Sequence, residues 1–262
     1  MYPTLFEIAG FRIDTYSVVW FIALSIAIIW SIKRLELYEL DEDESRKIMS
    51  MSFFFMLLGA MVFKHIGNLK KFIDDPSLLL KLNQMGLSEF GAVLGAFISA
   101  FLMCRFSRKI SFLKLCDVAA IPAMLTIAIG RWGCFLNGCC VGIPSDFFLA
   151  VHFPRDHVGI TRHPVQIYYS IIAAVSVLIL IYIEKKIMPE IKKNYHSVIA
   201  PLALILYSLM RFSTASLREN MSLIAHILDY SENTTYTILA VAFPLECLWL
   251  ALSLRRLKLV KK

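Results

Sequence analysis

Arg131 and Arg211 each close a long apolar run. A charge at membrane depth costs roughly 2.5–3.5 kcal/mol on insertion scales, so both invite a functional explanation. Taken singly, either could be a side chain that snorkels from a helix end to lipid headgroups. Arg131, however, sits in Gly130-Arg131-Trp132-Gly133-Cys134-Phe135-Leu136-Asn137-Gly138-Cys139-Cys140-Val141-Gly142, with four glycines in thirteen residues where a helix is expected to end. Glycine permits positive φ and close backbone approach, as an anion site requires. A guanidinium beside exposed amides would grip a phosphate through charge-assisted, bidentate hydrogen bonds. The alternative is a tight re-entrant turn with no ligand. Arg211 and Arg218 stand seven apart, and if the helix continues, two turns put both guanidiniums on one face about 10 Å apart. That is the scale of a phospholipid headgroup; Arg218 as a solvated residue beyond the membrane is the alternative.

Between these arginines comes Arg162-His163-Pro164-Val165-Gln166-Ile167-Tyr168, where a loop meets a helix start. Histidine is the side-chain type suited to proton transfer near neutral pH, whereas a His before Pro at a helix entry commonly caps or pins the loop. Cys134, Cys139 and Cys140 are spaced C-x4-C-C, which is not a zinc pattern. With adjacent cysteines and no dependable fourth ligand, no metal site is expected. A disulfide from Cys134 to Cys139 or Cys140 stays open if the loop faces an oxidising compartment. Cys104, Cys116 and Cys247 read as small buried hydrophobes.

The elements that must position these residues are set by a lipid solvent. Of 262 residues, 58% are hydrophobic and 18% charged, too little charge for a water-facing surface. Apolar runs long enough to cross about 30 Å of hydrocarbon lie near 16–33, 50–66, 90–105, 114–130, 167–184, 197–212 and 237–254. They lack period-two alternation, so the fold class is an all-α polytopic membrane protein of about seven helices, in one domain spanning 1–262. No small-residue cleavage site follows the first run, which therefore reads as a retained helix. Basic residues cluster after alternate runs (Lys33, Arg34, Arg46, Lys47; Arg105, Arg108, Lys109, Lys114; Lys185, Lys186, Lys192, Lys193; the tail from Arg255), placing those loops in the cytoplasm. The amino terminus and the loops near 67–89, 131–166 and 213–236 then face outward, and the carboxyl terminus inward. The net charge of +7 reflects orientation and anionic lipid, not nucleic acid.

Taken in order, these segments resemble the bacterial prolipoprotein diacylglyceryl transferase family. Gly130 to Gly142 is similar to the family signature G-R-x-G-N-F-x-N-x-E-x-x-G; Arg162 to Tyr168 resembles its R-H-P-x-Q-L-Y, and Arg211 to Arg218 its R-F-x-x-E-x-x-R. Phe11-Arg12-Ile13-Asp14-Thr15-Tyr16, Gly91-Ala92-Val93-Leu94-Gly95 and Asp117 also fall in order. The resemblance implies transfer of the diacylglyceryl group of phosphatidylglycerol to the lipobox cysteine of an exported preprolipoprotein. The product is a thioether, glycerol 1-phosphate leaves, and the site faces the outer leaflet of the cytoplasmic membrane. It implies Arg131 and Arg211 as central arginines, with Tyr16, Asn137, Gly142 and Arg218 in matching positions; Gly138 and Arg162, which lie in the same segments, join them as substrate-binding candidates, and His163 stays a candidate for proton transfer on its side-chain type. The implied partners are phosphatidylglycerol, the signal segment of the acceptor and membrane lipids, with neither a metal nor a diffusible cofactor.

The departures are chemical. Phe90 stands where the family commonly has His, Cys134 and Cys139 replace its signature Asn and Glu, Ala215 replaces its Glu between the last arginines, and Tyr169 follows the R-H-P motif in place of an acid. Phosphate-binding charge is retained while a base and several carboxylates are lost. Glu89 or His163 could substitute as base, the reaction could need little base help, or the chain could serve another acceptor. A second class of reading is a non-catalytic lipid-binding or transport protein that keeps the phosphate cradle.

Overall fold

Apolar segments in lipid satisfy their backbone groups internally, and helices follow from that requirement. The computed structural model describes residues 2–8, 11–66, 89–154, 156, 159–193, 197–218 and 233–259. Among these residues a hairpin of β1 (Thr4–Ile8) and β2 (Phe11–Asp14) precedes seven helices. They are α1 (Thr15–Leu35), α2 (Glu42–Ile66), α3 (Glu89–Ser107), α4 (Phe112–Asn137), α5 (Val165–Lys193), α6 (Ile199–Ala215) and α7 (Asn233–Leu259). Four of the described helices, α1, α2, α4 and α5, are long and apolar enough to cross a membrane, and α6 and residues Gly91–Ser107 of α3 are shorter apolar helices. Phe21, Phe54, Leu178 and Leu248 are among many large apolar side chains left exposed, as helices solvated by lipid require.

Two details differ from the sequence expectation. The hairpin was not foreseen, although Phe11-Arg12-Ile13-Asp14 alternates apolar and charged residues and pairs antiparallel with 4–8. Arg34, grouped above with cytoplasmic loop charges, lies inside α1 and is buried beside Glu184. Much of the loops expected at 67–89 and 213–236 lies outside the described residues.

The chain clusters into two compact units. In the first (Met1–Arg34, Cys116–Met221 and Glu232–Lys262), the core is shared by α4, α5 and α6. Val165, Tyr169, Ala173 and Val177 recur every fourth residue along α5 and form one buried stripe, facing Ile121 and Met210 among others. Asp117 on α4 holds the start of α6: its Oδ1 accepts from Ser197 Oγ (2.8 Å) and the Ala200 amide (2.7 Å), and its Oδ2 from the Val198 amide (3.2 Å). An acid at the amino end of α6 satisfies orphan amides and complements the helix dipole.

In the second unit (Leu35–Leu115 and Ser222–Ser231), α2 and α3 approach almost backbone to backbone. A Cβ on Gly59 would lie 2.4 Å from Gly91 O, and one on Gly95 would lie 2.1 Å from Phe55 O, so only glycine fits at either place. Ser107 Oγ donates to Glu44 Oε1 (2.7 Å), tying the far ends of the same pair.

Candidate active site

The site begins with the contact of α1 on α4. A Cβ on Gly130 would meet the Trp20 ring at 2.8 Å, and one on Gly133 would meet Val19 Cβ at 3.2 Å and Tyr16 O at 3.3 Å. The two glycines are therefore packing residues inside a helix, not turn residues. The helix runs on to Asn137, so Arg131 lies within α4 and not at its end. Their lack of side chains lets α1 settle against α4. Tyr16 thereby comes within electrostatic reach of Arg131 and of the thiols of Cys134, Cys139 and Cys140.

The two central arginines meet on one ring. Arg131 Cζ stands 4.6 Å from the Tyr169 ring centroid and Arg211 Cζ 5.9 Å from the same centroid. Arg131 comes from α4, Tyr169 from α5 and Arg211 from α6, and Tyr169 and Arg131 are both buried. A π face attracts each guanidinium, while convergence of two positive charges in a poorly hydrated setting favours a ligand with concentrated negative charge. Tyr169 entered the sequence reading only as a lost acid; its role as a shared platform was missed. The signal was its place in the buried α5 stripe with Val165, Ala173 and Val177.

α4 ends in a Schellman motif. The Gly138 amide donates to Phe135 O and the Cys139 amide to Cys134 O, both at 3.1 Å, and Gly138 takes φ 66°. Only this glycine of the four adopts the positive φ anticipated for the stretch. The motif brings the residue five before its last amide against the side chain that follows the glycine, here Cys134 and Cys139. Cys140 then takes φ 57° and turns its side chain back. The Sγ atoms of Cys134, Cys139 and Cys140 all lie within 4.8 Å of one another, without a disulfide. Spacing alone argues against such convergence; the cap geometry produces it. Hydrogen bonds from the Cys134 and Cys139 thiols, reinforced by the Arg218 and Arg131 charges, hold the Cys140 thiol well below its usual range.

Beyond the cap, three segments are stitched together by isolated backbone bridges. Gly142 bridges Arg218, and Arg162 bridges both Pro144 and Val151. The Gly142 amide donates to His163 O (3.1 Å), the His163 amide to Ile143 O (3.2 Å) and the Ile143 amide to Leu217 O (2.9 Å). Gln166 Nε2 donates to Cys139 O at 2.6 Å, fastening the cysteine turn to α5. Arg218 does not share a helical face with Arg211: α6 stops at Ala215, and Arg218 reaches the site through its bridge with Gly142. The helix ends there because the chain turns to pair, as the Leu217 amide bond to Thr214 O shows.

Arg162 is engaged within this scaffold. Its Nε lies 2.9 Å from both Asp156 oxygens and its Nη1 donates to Gly142 O at 3.2 Å. His163 places Nδ1 3.2 Å from Tyr168 Oη and its ring 5.7 Å from Phe147. Asn137 closes α4 and its side chain interacts with Cys139. Glu89 and Phe90 begin α3, and their side chains lie outside the described residues.

Comparison with known proteins gives the family of the chain. A family model described as prolipoprotein diacylglyceryl transferase matches residues 3–250. The chain is 33% identical to the phosphatidylglycerol–prolipoprotein diacylglyceryl transferase of Clostridium novyi over 84% of its own length and 85% of that protein. It is 31% identical to the protein of the same name from Clostridium tetani over 71% of the chain and 75% of that protein. For the one from Rickettsia canadensis the figures are 28% identity and 87% of each chain. With a match from near its start to within twelve residues of its end, the chain belongs to the prolipoprotein diacylglyceryl transferase family.

Proposed function

We propose that this membrane protein transfers the diacylglyceryl group of phosphatidylglycerol to the lipobox cysteine thiol of exported preprolipoproteins. The observation that carries the reading is the pairing of Arg131 and Arg211 on the Tyr169 ring, in a chain of this family. The acceptor sulfur attacks the glycerol carbon of the donor, the carbon–oxygen bond to phosphate breaks, and glycerol 1-phosphate leaves. Negative charge gathers on the leaving phosphate in the transition state, where fixed positive charge is worth most. Arg131 and Arg211 meet that need in this reading. Asn137, Gly138, Gly142, Arg162 and Arg218 shape the donor pocket, and Tyr16 borders the reacting atoms.

The nucleophile is the thiolate, and the family's usual histidine is Phe90 here. His163, or Glu89 beside Phe90, is the candidate to take the proton. Base assistance contributes about 10²–10⁴-fold, so its absence slows turnover without abolishing it. The topology that goes with this reading is a single integral domain of about seven spans in the cytoplasmic membrane. Its amino terminus is outside, its carboxyl terminus cytoplasmic, and the site opens to the outer leaflet.

Phe90, Ala215 and the replaced signature residues favour a second reading, a lipid-binding or transport protein that forms no covalent product, or a transferase with another acceptor. Mass spectrometry of a lipobox peptide after incubation with purified protein and phosphatidylglycerol vesicles separates them. A diacylglyceryl increment that is lost in Arg131→Ala, while that variant keeps the thermal midpoint of the parent, supports the transferase. Phospholipid binding without an increment favours the second reading.

A further inference from the structure

The cysteine cluster is the strongest feature that the transferase reading leaves unused. Three thiols converge at the end of α4, in the positions where resemblance to the family calls for Asn and Glu at the first two, and the third is adjacent. In a regular tetrahedral site with Zn–S bonds of about 2.3 Å, the sulfurs stand about 3.8 Å apart. The three Sγ atoms here already lie within 4.8 Å of one another, so about 1 Å of closure completes the triangle. Adjacent cysteines seldom bind together when the backbone is extended or helical, but here Cys140 takes φ 57° and its Sγ lies within 4.8 Å of those of Cys139 and Cys134.

We propose that Cys134, Cys139 and Cys140 bind a zinc ion and leave its fourth coordination position for the thiol of the acceptor peptide. The proposal rests on the transferase reading for its role and on the thiol geometry for its existence. Thiolate donors select soft or borderline cations, and three protein ligands with one open position is the pattern of a working zinc centre, not of a closed structural one. The surroundings fit the charge. Three thiolates and Zn²⁺ sum to −1, and Arg131 and Arg218 both act electrostatically on Cys140. Supporting contacts fix the donors: Gln166 Nε2 holds Cys139 O at 2.6 Å, and Asn137 interacts with Cys139.

The site would supply what the sequence lacks. A thiol that coordinates zinc gives up its proton. The acceptor sulfur then keeps a lone pair for attack on the glycerol carbon. The new carbon–sulfur bond forms as the carbon–oxygen bond to phosphate breaks, the oxygen leaving with the bonding pair. The proton released from the thiol ends on glycerol 1-phosphate, and the neutral thioether, a weaker ligand than thiolate, departs from the metal. No oxidant or reductant takes part. Because Arg131 acts electrostatically on Cys140 and also stands 4.6 Å from the Tyr169 ring centroid beside Arg211, nucleophile and phosphate are addressed from adjoining positions.

The test uses the reduced full-length protein in detergent, stripped with a chelator and titrated with Co²⁺ as a spectroscopic probe for zinc. One Co²⁺ per chain with a thiolate charge-transfer band is expected, and the band should vanish in Cys134→Ser/Cys140→Ser while phosphatidylglycerol is still bound. All six thiols free to titrate after metal addition, with no band in the parent protein, overturn the proposal, as does a Cys134–Cys139 disulfide under the same reducing conditions. A lipobox peptide should shift the band and its Cys→Ser counterpart should not; equal spectra with both peptides overturn the open position. Chelation should lower the rate of thioether formation on the order of 10²-fold, with recovery on adding Zn²⁺; an unchanged rate overturns the role. A peptide-responsive band in a protein that never forms thioether keeps the metal site and sinks the transferase reading instead.

Discussion

Arg34 and Glu184, 150 residues apart in sequence, face each other with two parallel hydrogen bonds, Nη1 to Oε2 and Nη2 to Oε1, each 2.6 Å. Arg34 also donates from Nε to Val118 O and from Nη2 to Asp117 O, at 2.9 and 3.0 Å. One guanidinium therefore joins α1, α4 and α5. Both side chains are less than a tenth exposed, so removing either leaves a charge buried without its counterion. That loss costs about 3–5 kcal/mol, whereas replacing both with apolar residues of similar size is much milder. Glu184→Ala should thus lower the thermal unfolding midpoint in detergent far more than Arg34→Met/Glu184→Leu does. Equal losses would show that the pair contributes only its packing.

Asp117 makes a second, separable prediction. It supplies three acceptor contacts to the start of α6, where Val198 offers no side-chain cap of its own. Asp117→Ala leaves two buried amides and a hydroxyl without acceptors, a cost of about 2–3 kcal/mol. Since α6 carries Arg211, thioether formation should fall as well, and Asp117→Asn should lie between parent and Ala in both thermal midpoint and rate. A variant with normal midpoint and normal rate would remove α6 anchoring from the account of the site.

How much of this was readable beforehand depends on the range of the interaction involved. Apolar runs at 16–33 and 167–184 announce α1 and α5, because burial in lipid is a property of the segment itself. The run at 114–130 gave α4 but stopped short at Arg131, since Gly130 and Gly133 look like a turn until Trp20 and Val19 are placed against them. The Schellman glycine at 138 was visible as one of four candidates, and nothing local singles it out. A helix continued past Arg211 would put Arg218 on the same face; the strand-like pairing of Arg218 with Gly142, 76 residues away, ends the helix first. Arg34 was misplaced for the same reason: its partner Glu184 is remote in the chain.

Tyr169 is expected to act through its ring and not its hydroxyl, because both arginines are positioned over its face. Tyr169→Phe keeps that face and should retain the parent kcat/KM within about twofold. Tyr169→Leu removes it, with a loss of roughly 1–2 kcal/mol in arginine placement, or about tenfold or more in kcat/KM. The comparison is made on variants matched for thermal midpoint. A Phe variant as poor as Leu would shift the role to the hydroxyl.

Gly142 tests whether the stitched loops matter to the proposed donor site. A Cβ there would come 2.6 Å from His163 O and 2.7 Å from Val165 Cγ2, one of them backbone, so the neighbour cannot swing aside. Relief has to come from parting residue 142 from 163, which strains the Gly142 amide bond to His163 O and the Arg162 bond to Gly142 O, and with them the bridge to Arg218. Overpacking of this kind costs about 1–3 kcal/mol. Because Arg218 is carried by the same bridge, Gly142→Ala should raise the KM for phosphatidylglycerol more than it lowers the thermal midpoint would suggest, whereas Asp156→Asn, which weakens Arg162 without crowding the bridge, should raise it less. If both variants left KM unchanged while lowering stability, the stitched segments would hold the fold together without shaping the lipid site.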